Sequence, residues 1–378
     1  MSRPFSLPGV NKIFDCDTLS RPVASGSMSL FLASIFLGVV PMVIYAFVVW
    51  RIDRWEKEPL PLLLAAFLWG SVPAVIFAII AQVIMEIPVS ELSEEVSLFG
   101  ELYQASFVAP VTEEITKGLG LLLIFFFFRR EIDSVLDGLI YGSVIGFGFS
   151  AVENVLYFAG QPDVGGLIFL FFLRAFVFGM LHALFTGLFG VGLALGKFTS
   201  RPIMKLLWPL IGIALAMTTH ALHNYFATLG GEHLFYAVIG IMIGVAWFVA
   251  TIIICLSHEN KWIQIHLADE VADGVLFAEQ AMDTARFWTR SNLTVFTQGF
   301  SAWKRKHLLH EATELAYEKQ RQQRTGVTEA CALRLDALRL RVRELSREDP
   351  HYISGRIQPG KLLPPPLPPT RRTPPPLP

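Results

Sequence analysis

Four apolar stretches of the chain contain side chains of the kinds that activate water or bind a metal ion. They are Glu113, Glu114 and Lys117 in the first stretch, Glu153 and Asn154 in the second, His182 in the third, and His220, His223 and Asn224 in the fourth. A buried carboxylate can act as a general base, and His and Asn can hold the oxyanion of a tetrahedral intermediate. The same residue types suit Zn²⁺, which acidifies its bound water, with Glu153, His182, His220 and His223 as candidate ligands. The zinc-protease motif HExxH is absent, so zinc is a candidate cofactor and not a required one.

The first stretch contains more negative than positive charge. On a helix, Glu113 and Lys117 are four residues apart and Glu114 and Lys117 are three apart, so both carboxylates can pair with one ammonium. The excess negative charge must be neutralised by a proton, a metal ion or another cation. An ion pair between helices is the structural alternative for this group.

Small residues precede the acidic residue of the second stretch. Gly138, Gly142, Gly146 and Ser150 recur every four residues. This spacing favours a close approach of two helix backbones, and packing alone accounts for it. Glu153 and Asn154 follow on nearly the same face, so we expect them to point into a bundle and not toward lipid.

Composition indicates which elements position these groups. The chain has 378 residues, of which 53% are hydrophobic and 17% are charged, with a mean hydropathy of +0.50. A soluble domain has about 25% charged residues, so a soluble enzyme, a disordered protein and a nucleic-acid binder are excluded as first interpretations. We predict an all-α, polytopic membrane helical bundle with about seven spans. They lie near 27–50, 61–85, 107–128, 136–158, 170–196, 206–228 and 234–256.

The loops between the predicted spans alternate between basic and non-basic. Lys and Arg occur in the first, third and fifth loops, which predicts that these loops and the C-terminal tail are cytoplasmic and that the N-terminus is outside. At 1.5 Å per helical residue, the candidate residues then lie roughly 5–12 Å below the outer surface. Arg174 is predicted at the outer headgroup level, where it costs little. We therefore predict that four helices bring carboxylates, imidazoles and an amide into one layer.

The ends of the chain differ from the bundle. Residues 1–26 form an N-terminal segment, 27–256 the bundle, 257–350 a cytosolic helical extension and 351–378 a disordered Pro-rich tail. Within the extension, an apolar stripe predicts an amphipathic helix; its members are Leu335, Leu338, Val342 and Leu345. The Pro-rich tail is a candidate ligand for a cytosolic SH3-like partner. Three scattered cysteines do not form a disulfide framework.

Five strings of the sequence are similar to a known family: RIDRWEKEP, APVTEEITKG, GFGFSAVENVLYF, LHALFTG and THALHN. Together they resemble the PrsW family of intramembrane proteases over most of the chain from about residue 30 to 275. The order Glu-Glu, FxxxH, HxxxN is more distantly similar to the CAAX prenyl endopeptidases and bacteriocin-processing proteins. Phe178 to His182 and His220 to Asn224 match the last two motifs. Lys117 stands one position before the Arg of the prenyl enzymes, so prenyl specificity is not implied.

The resemblance implies a role for each matched residue. Glu113 or Glu114 would activate water, with His182 as partner. His220 and Asn224 would stabilise the oxyanion. Glu153 would be a ligand or a supporting acid. The implied substrates are membrane-anchored proteins, such as anti-sigma factors in signal transduction, cut near the outer face of a bacterial plasma membrane.

Two functions of different classes fit this layer, and a third fits the tail. The first is an intramembrane endopeptidase with a Glu- or His-activated water. The second is a transporter or channel in which the same layer moves protons or cations. The third is a membrane scaffold that uses its tail. The sequence lacks a convincing inverted repeat, which disfavours the transporter, and no nucleic-acid partner is expected.

Overall fold

The computed structural model describes residues 25–53, 57–90, 98–285, 300–325 and 329–349. All regular elements in these residues are helices, which confirms the predicted all-α class. The chain divides into two compact units, and the chain passes from the first to the second between Thr251 and Ile252. The sequence-based boundary at 256 lies five residues later, inside the same helix. The Pro-rich tail and residues 1–24 lie outside the described residues.

The first unit is a bundle of apolar helices, and its last helix continues into the second unit. They are α1 (Ser25–Ile52), α2 (Leu60–Trp69), α3 (Val75–Ser90), α4 (Leu98–Tyr103), α5 (Ala109–Phe127), α6 (Val135–Ala159), α7 (Val164–Phe172), α8 (Leu181–Phe198), α9 (Pro202–Leu229) and α10 (Leu234–Ala272). Single π-helical turns continue α2, α4 and α7; they span Gly70–Ala74, Gln104–Val108 and Leu173–Val177. Such turns carry i→i−5 bonds and are frequent at functional sites.

Six helices of the described residues are long and apolar enough to cross a membrane, against about seven predicted spans. The helical segment that corresponds to the predicted span near 107–128 is α5, which carries Glu113, Glu114 and Lys117 within its first nine residues. Those charges are expensive at bilayer depth. The difference between six and seven is therefore located at the residues that the sequence marks as functional.

Helix starts follow local sequence. Ser134 and Asp137 form a reciprocal capping box at the start of α6, in which the Asp137 carboxylate accepts the Ser134 amide at 2.6 Å. Asp163 caps α7 through the Gly166 amide at 2.9 Å. α9 begins at Pro202, a residue suited to the first helical position. These signals fix where α6, α7 and α9 begin. Of these, α6 carries Glu153 and α9 carries His220.

Helix α6 lies at the centre of the bundle, and its glycines face α8. An added Cβ on Gly138, Gly142 or Gly146 would lie 2.3, 2.6 or 2.3 Å from the carbonyl oxygens of Gly190, Thr186 and His182, respectively. Positions increase by four on α6 as they decrease by four on α8, so the two helices run antiparallel at backbone contact. Ser150 is buried on the same helix. This register holds His182 beside the end of α6 that carries Glu153.

The backbone between α7 and α8 is interrupted just before His182. The Phe178 amide donates to the Leu173 carbonyl at 2.9 Å, and α8 begins at Leu181. The hydroxyl of Tyr45 donates to the Ala175 carbonyl at 2.8 Å and so satisfies part of the irregular segment. Non-helical backbone at membrane depth is tolerated only when it is buried in protein or lines a cavity. The sequence predicts one span over 170–196, and the segment Val164–Phe198 is one of the six candidate spans, but its helix is interrupted at residues 178–180.

The second unit contains the remainder of α10, α11 (Ala278–Ala285), α12 (Phe300–Thr325) and α13 (Glu329–Arg347). The apolar stripe of α13 packs into its core: Leu335, Leu338 and Val342 are buried, and Leu345 packs partly buried against them. Buried polar groups accompany this core. The carboxylate of Glu270, for example, binds Arg339 and Lys319.

Candidate functional site

Glu114 belongs to the polar layer, and both of its carboxylate oxygens have hydrogen-bond partners. One carboxylate oxygen, Oε1, accepts from Lys117 Nζ at 2.5 Å and lies 3.0 Å from His220 Nδ1. The other oxygen accepts from the Thr186 hydroxyl at 3.1 Å. Both oxygens of this buried side chain therefore have partners, and Glu114 joins α5, α8 and α9.

Glu113 is the neighbouring carboxylate, and it is open on one side. Its Oε1 accepts a long hydrogen bond of 3.3 Å from Gln82 Nε2 on α3. Its Oε2 is buried and has no hydrogen-bond partner among the described residues. The nearest ionisable nitrogens around Oε2 are Lys117 Nζ at 3.7 Å, His220 Nε2 at 3.9 Å and His182 Nδ1 at 4.0 Å. Glu113 therefore presents an unoccupied acceptor to the centre of the layer.

Each imidazole is held by a carboxylate on its far side. His182 Nε2 lies 2.6 Å from Glu153 Oε2, and His220 Nδ1 lies 3.0 Å from Glu114 Oε1. Because an ionised carboxylate only accepts hydrogen bonds, we assign the ring protons of neutral His182 and His220 to these nitrogens. The ring nitrogens that carry the remaining lone pairs, His182 Nδ1 and His220 Nε2, lie 4.0 and 3.9 Å from Glu113 Oε2.

Arg174 supports this arrangement from the interrupted helix. Its Nη2 lies 2.8 Å from Glu153 Oε2, and its Nε donates to Asn154 Oδ1 at 2.7 Å. The guanidinium also lies 4.0 Å from the centre of the Tyr157 ring. Arg174, which the sequence placed at the headgroup level, thus belongs to a chain that runs through Glu153 to His182.

The charges of the layer do not cancel. Glu113, Glu114 and Glu153 carry three negative charges, whereas Lys117 and Arg174 supply two positive ones when both imidazoles are neutral. One proton would cancel the difference, and a divalent cation would cancel it together with one hydroxide. This agrees with the excess negative charge that the sequence indicates.

Three side chains of the layer have the geometry of a metal site. Ligand atoms of Glu113, His182 and His220 lie within 4.8 Å of one another. Both imidazoles are backed by carboxylates, which is the usual supporting contact of a metal-bound His, and one carboxylate with two imidazoles is a known catalytic zinc set. The donor set therefore fits zinc. Lys117 Nζ lies 3.0 Å from His182 Nδ1, so a bound ion would take that lone pair from the ammonium.

Other predicted residues lie apart from this group. Glu153 holds the far side of His182 and does not face the centre. The ring of His223 contacts Phe178 edge-to-face at 4.9 Å between centroids. Asn224 donates to the Ala105 carbonyl at 2.8 Å. The structure thus joins Glu113 to His182 and His220, where the candidate zinc ligands from sequence were Glu153, His182, His220 and His223.

Comparisons with known proteins cover the part of the chain that contains these residues. A family model described as PrsW family intramembrane metalloprotease matches residues 58–254, which is more than half of the 378-residue chain. The chain belongs to the PrsW family. It is an intramembrane peptidase, and the match contains all the residues of the polar layer. The transporter interpretation is not favoured.

Three PrsW relatives are similar over parts of the chain. The protease PrsW of Bacillus subtilis (strain 168) is 22% identical over 216 residues, which cover 57% of this chain and 92% of that protein. Protease PrsW of Clostridioides difficile (strain 630) is 28% identical over 121 residues, 32% of this chain and 48% of that protein. Protease PrsW of Geobacillus kaustophilus (strain HTA426) is 26% identical over 171 residues, 45% and 70% of the two chains. No solved structure matches.

Sequence reasoning missed three contributors to the PrsW site. Gln82 and Thr186 are neutral, and nothing distinguishes them from other polar residues of apolar helices. The signal for Arg174 was present, because a third carboxylate in the layer calls for a second cation. Its contact with Glu153 was not predicted, because the interruption of the helix before His182 has no clear mark in the sequence.

Proposed function

We propose that this PrsW protein hydrolyses a peptide bond of a membrane-anchored protein with water activated by Glu113. The observation that carries the proposal is Glu113 Oε2, which has no hydrogen-bond partner among the described residues and lies 3.9 and 4.0 Å from nitrogens of two imidazoles that are each held by a carboxylate. A carboxylate oxygen without a partner, in a layer that excludes bulk water, is suited to accept a proton from water.

The geometry favours Glu113 over Glu114 as the base. Glu114 accepts hydrogen bonds from Lys117, His220 and Thr186, so proton transfer to it would require breaking one of these contacts. Glu113 Oε2 has no such contact to lose. Glu114 then serves to orient His220 and to hold Lys117.

The remaining groups orient the water and stabilise charge. The water donates one O–H to Glu113 Oε2 and the other to the lone pair of His220 Nε2, which leaves a lone pair of its oxygen for the substrate carbonyl. His182 Nδ1 accepts from Lys117 Nζ at 3.0 Å and so holds that ammonium. Lys117 Nζ, 3.7 Å from Glu113 Oε2, is the cation nearest to the negative charge that forms on that carbonyl. Glu113 then returns its proton to the leaving amine. The predicted oxyanion contact of Asn224 would require its amide to release Ala105.

Zinc is compatible with the same residues. Glu113, His182 and His220 would hold the ion, which when bound supplies a water of lowered pKa. The second carboxylates, Glu153 and Glu114, would hold the two imidazoles with their other ring nitrogens directed inward in either case.

Cleavage of a single-span reporter by the purified full-length chain in liposomes tests the proposal. Glu113→Gln should lower the rate by about 10²- to 10⁴-fold, the usual contribution of a general base. Glu101→Gln, an exposed residue at the other end of the same helical segment, is the matched control. Wild-type cleavage by Glu113→Gln would refute the mechanism.

We further propose that cleavage occurs in the outer half of a bacterial plasma membrane, with the C-terminus cytoplasmic. The alternation of basic loops supports this orientation, and anti-sigma-factor-like proteins are the substrate class that the family resemblance implies. Cysteine labelling from each side of the membrane tests the orientation. The membrane protein that accumulates when this chain is removed identifies the substrate.

A further inference from the structure

Buried polar atoms without partners cluster in the helices of the site. In the described part of the first unit, five side chains have such an atom: Gln104 Nε2, Ser106 Oγ, Glu113 Oε2, Asn154 Nδ2 and His223 Nδ1. Native proteins leave few buried polar groups unpaired, and each one calls for an explanation. The proposed mechanism uses Glu113 but leaves Gln104, Ser106 and His223 unexplained.

These three residues lie around one hydrogen bond. Asn224 Nδ2 donates to the Ala105 carbonyl at 2.8 Å and so joins α9 to the π-helical turn Gln104–Val108. Gln104 and Ser106 flank Ala105 in the chain, and His223 precedes Asn224. We call Gln104, Ser106 and His223 the open polar patch.

The open polar patch lies about one helical turn from the imidazoles. His223 follows His220 by three residues, about 5 Å along α9, and its ring contacts Phe178, four residues before His182. The patch therefore borders the catalytic layer on one side.

A peptide bond in a membrane-spanning helix is protected by the helix itself. To be cleaved, the segment must unwind, and its amides and carbonyls then lose their partners where no bulk water replaces them. Each unpaired group costs several kcal/mol in an apolar medium, so the enzyme must supply new donors and acceptors beside the scissile bond. Gln104 offers a donor, Ser106 a donor and acceptor, and His223 Nδ1 either one.

We propose that the open polar patch binds the unwound backbone of the substrate next to the scissile bond. Amide and hydroxyl groups carry no charge, which matches a neutral peptide backbone better than a lipid phosphate. The π-helical turn adds a second feature common at functional sites. This inference rests on the proposed proteolytic function and assigns part of its substrate site.

Binding can be measured without cleavage in the full-length Glu113→Gln chain. The probe is a fluorescent single-span reporter peptide in nanodiscs. Gln104→Leu, Ser106→Ala and His223→Leu should each weaken its affinity about five- to tenfold, the value of one net hydrogen bond. Thr219→Val is the control, because the Thr219 hydroxyl donates to Leu215 of its own helix at 2.7 Å. Unchanged affinity in all three variants would overturn the inference.

The unfolding temperature is a second measurement that separates binding from folding, because loss of a structural contact would lower it. Removing a buried group that has no partner should leave the unfolding temperature unchanged or raise it. Weaker binding with equal or higher stability is the expected combination. Weaker binding that is accompanied by a lower unfolding temperature in each variant would assign the patch to folding and contradict the proposal.

Reporter peptides with one backbone amide replaced by an ester locate the contact. The ester lacks the N–H donor and has a weaker carbonyl acceptor, so one ester near the scissile bond should weaken binding to the Glu113→Gln chain. In the matching patch variant the same ester should cost nothing further, which is the coupling of a double-mutant cycle. Full additivity at every ester position would refute the contact. Failure of the proteolytic mechanism would instead appear as cleavage by Glu113→Gln.

Discussion

Two buried carboxylates, one in each unit, show how a structural charge differs from a candidate catalytic one. Glu270 on α10 accepts from Arg339 Nε at 3.0 and 3.1 Å with its two oxygens and from Lys319 Nζ at 3.0 Å. Glu113 on α5 has one long bond on Oε1 and none on Oε2. Both side chains are at least nine-tenths buried, so burial does not distinguish them.

The difference lies in how completely the acceptors are filled. In a carboxylate that only stabilises a fold, both oxygens accept from hydrogen-bond donors, because a buried oxygen without a donor costs free energy. The open oxygen of Glu113 faces two imidazole nitrogens and has no hydrogen-bond donor among the described residues. Its burial destabilises the fold, and ionisable groups in such unfavourable surroundings cluster at functional sites. The comparison predicts that the two residues respond in opposite ways to the same substitution.

The largest expected effect on folding is that of Glu270→Gln. Loss of the charge leaves Arg339 and Lys319 without their shared partner and should lower the free energy of unfolding of the second unit by about 3 kcal/mol. That is the lower end of the usual range, because the Arg339 side chain is 36% exposed and can be hydrated. Glu113→Gln should leave the stability nearly unchanged. Denaturant unfolding of both full-length variants measures the difference.

Reporter cleavage completes this test, since Glu270→Gln should cleave at the wild-type rate below its unfolding temperature. The distinction between the two carboxylates would fail if Glu113→Gln destabilised the chain as much as Glu270→Gln does. It would also fail if Glu270→Gln abolished cleavage while still folded.

The next effect concerns Arg174, whose contact with Glu153 continues to His182. Arg174→Gln should lower kcat about 10- to 100-fold with little change in KM, because loss of a supporting partner typically costs this much. Arg174→Lys, which keeps the charge but not the paired contacts, should restore part of the rate. Single-turnover cleavage of the reporter measures both variants.

Arg129→Gln, in the loop after α5, is the control for a general effect of losing an arginine. A rise in KM alone for Arg174→Gln would assign Arg174 to substrate binding. A wild-type pH–rate profile in that variant would also contradict a role through the imidazole.

Sequence alone predicted most residue types of this candidate site but not their connections. The helical class, the membrane location and a close helix contact of α6 follow from hydropathy and glycine spacing. The position of Arg174 does not, because in an unbroken helix it would lie about 12 Å along the axis from His182. The interruption before Leu181 instead brings both side chains to Glu153, at 2.8 and 2.6 Å.

The sequence also does not show which of the two carboxylates, Glu113 or Glu114, has hydrogen-bond partners on both oxygens. Adjacent helical residues point about 100° apart, and only the rotation of α5 relative to its neighbours decides which one is surrounded. Contacts with Thr186 and His220 settle that rotation in the structure. These contacts join residues 72 and 106 positions apart in the chain, and no local pattern encodes them.

The next smaller expected effect is on zinc affinity, which compares Glu153 of the first unit with Glu270 of the second. If the open oxygen belongs to a zinc site, the purified chain should bind one zinc ion, and Glu153→Gln should weaken the affinity about tenfold by freeing His182. Glu270→Gln should bind zinc as the wild type does. Competition with a chromogenic chelator measures the affinities.

Elemental analysis of the same preparations provides the control for residual metal. An active wild-type chain without stoichiometric zinc would leave Glu113 as the sole activating group. Equal zinc affinity in Glu153→Gln and the wild type would show that the carboxylate behind His182 does not tune a metal ligand.

The smallest effect should come from Gln82, the only hydrogen-bond partner of Glu113 among the described residues. Its contact with Oε1 is long, at 3.3 Å, and Nε2 is shared with Thr112 at 3.4 Å. A hydrogen bond this long contributes about 0.5 kcal/mol, the low end of the usual range, so Gln82→Leu should lower the cleavage rate only two- to threefold. Gln161→Leu, which removes a contact to the Tyr157 carbonyl of the preceding helix, should have no effect. A thousandfold loss in Gln82→Leu would mean that Glu113 depends on this partner, and the open carboxylate would then be as firmly held as Glu270.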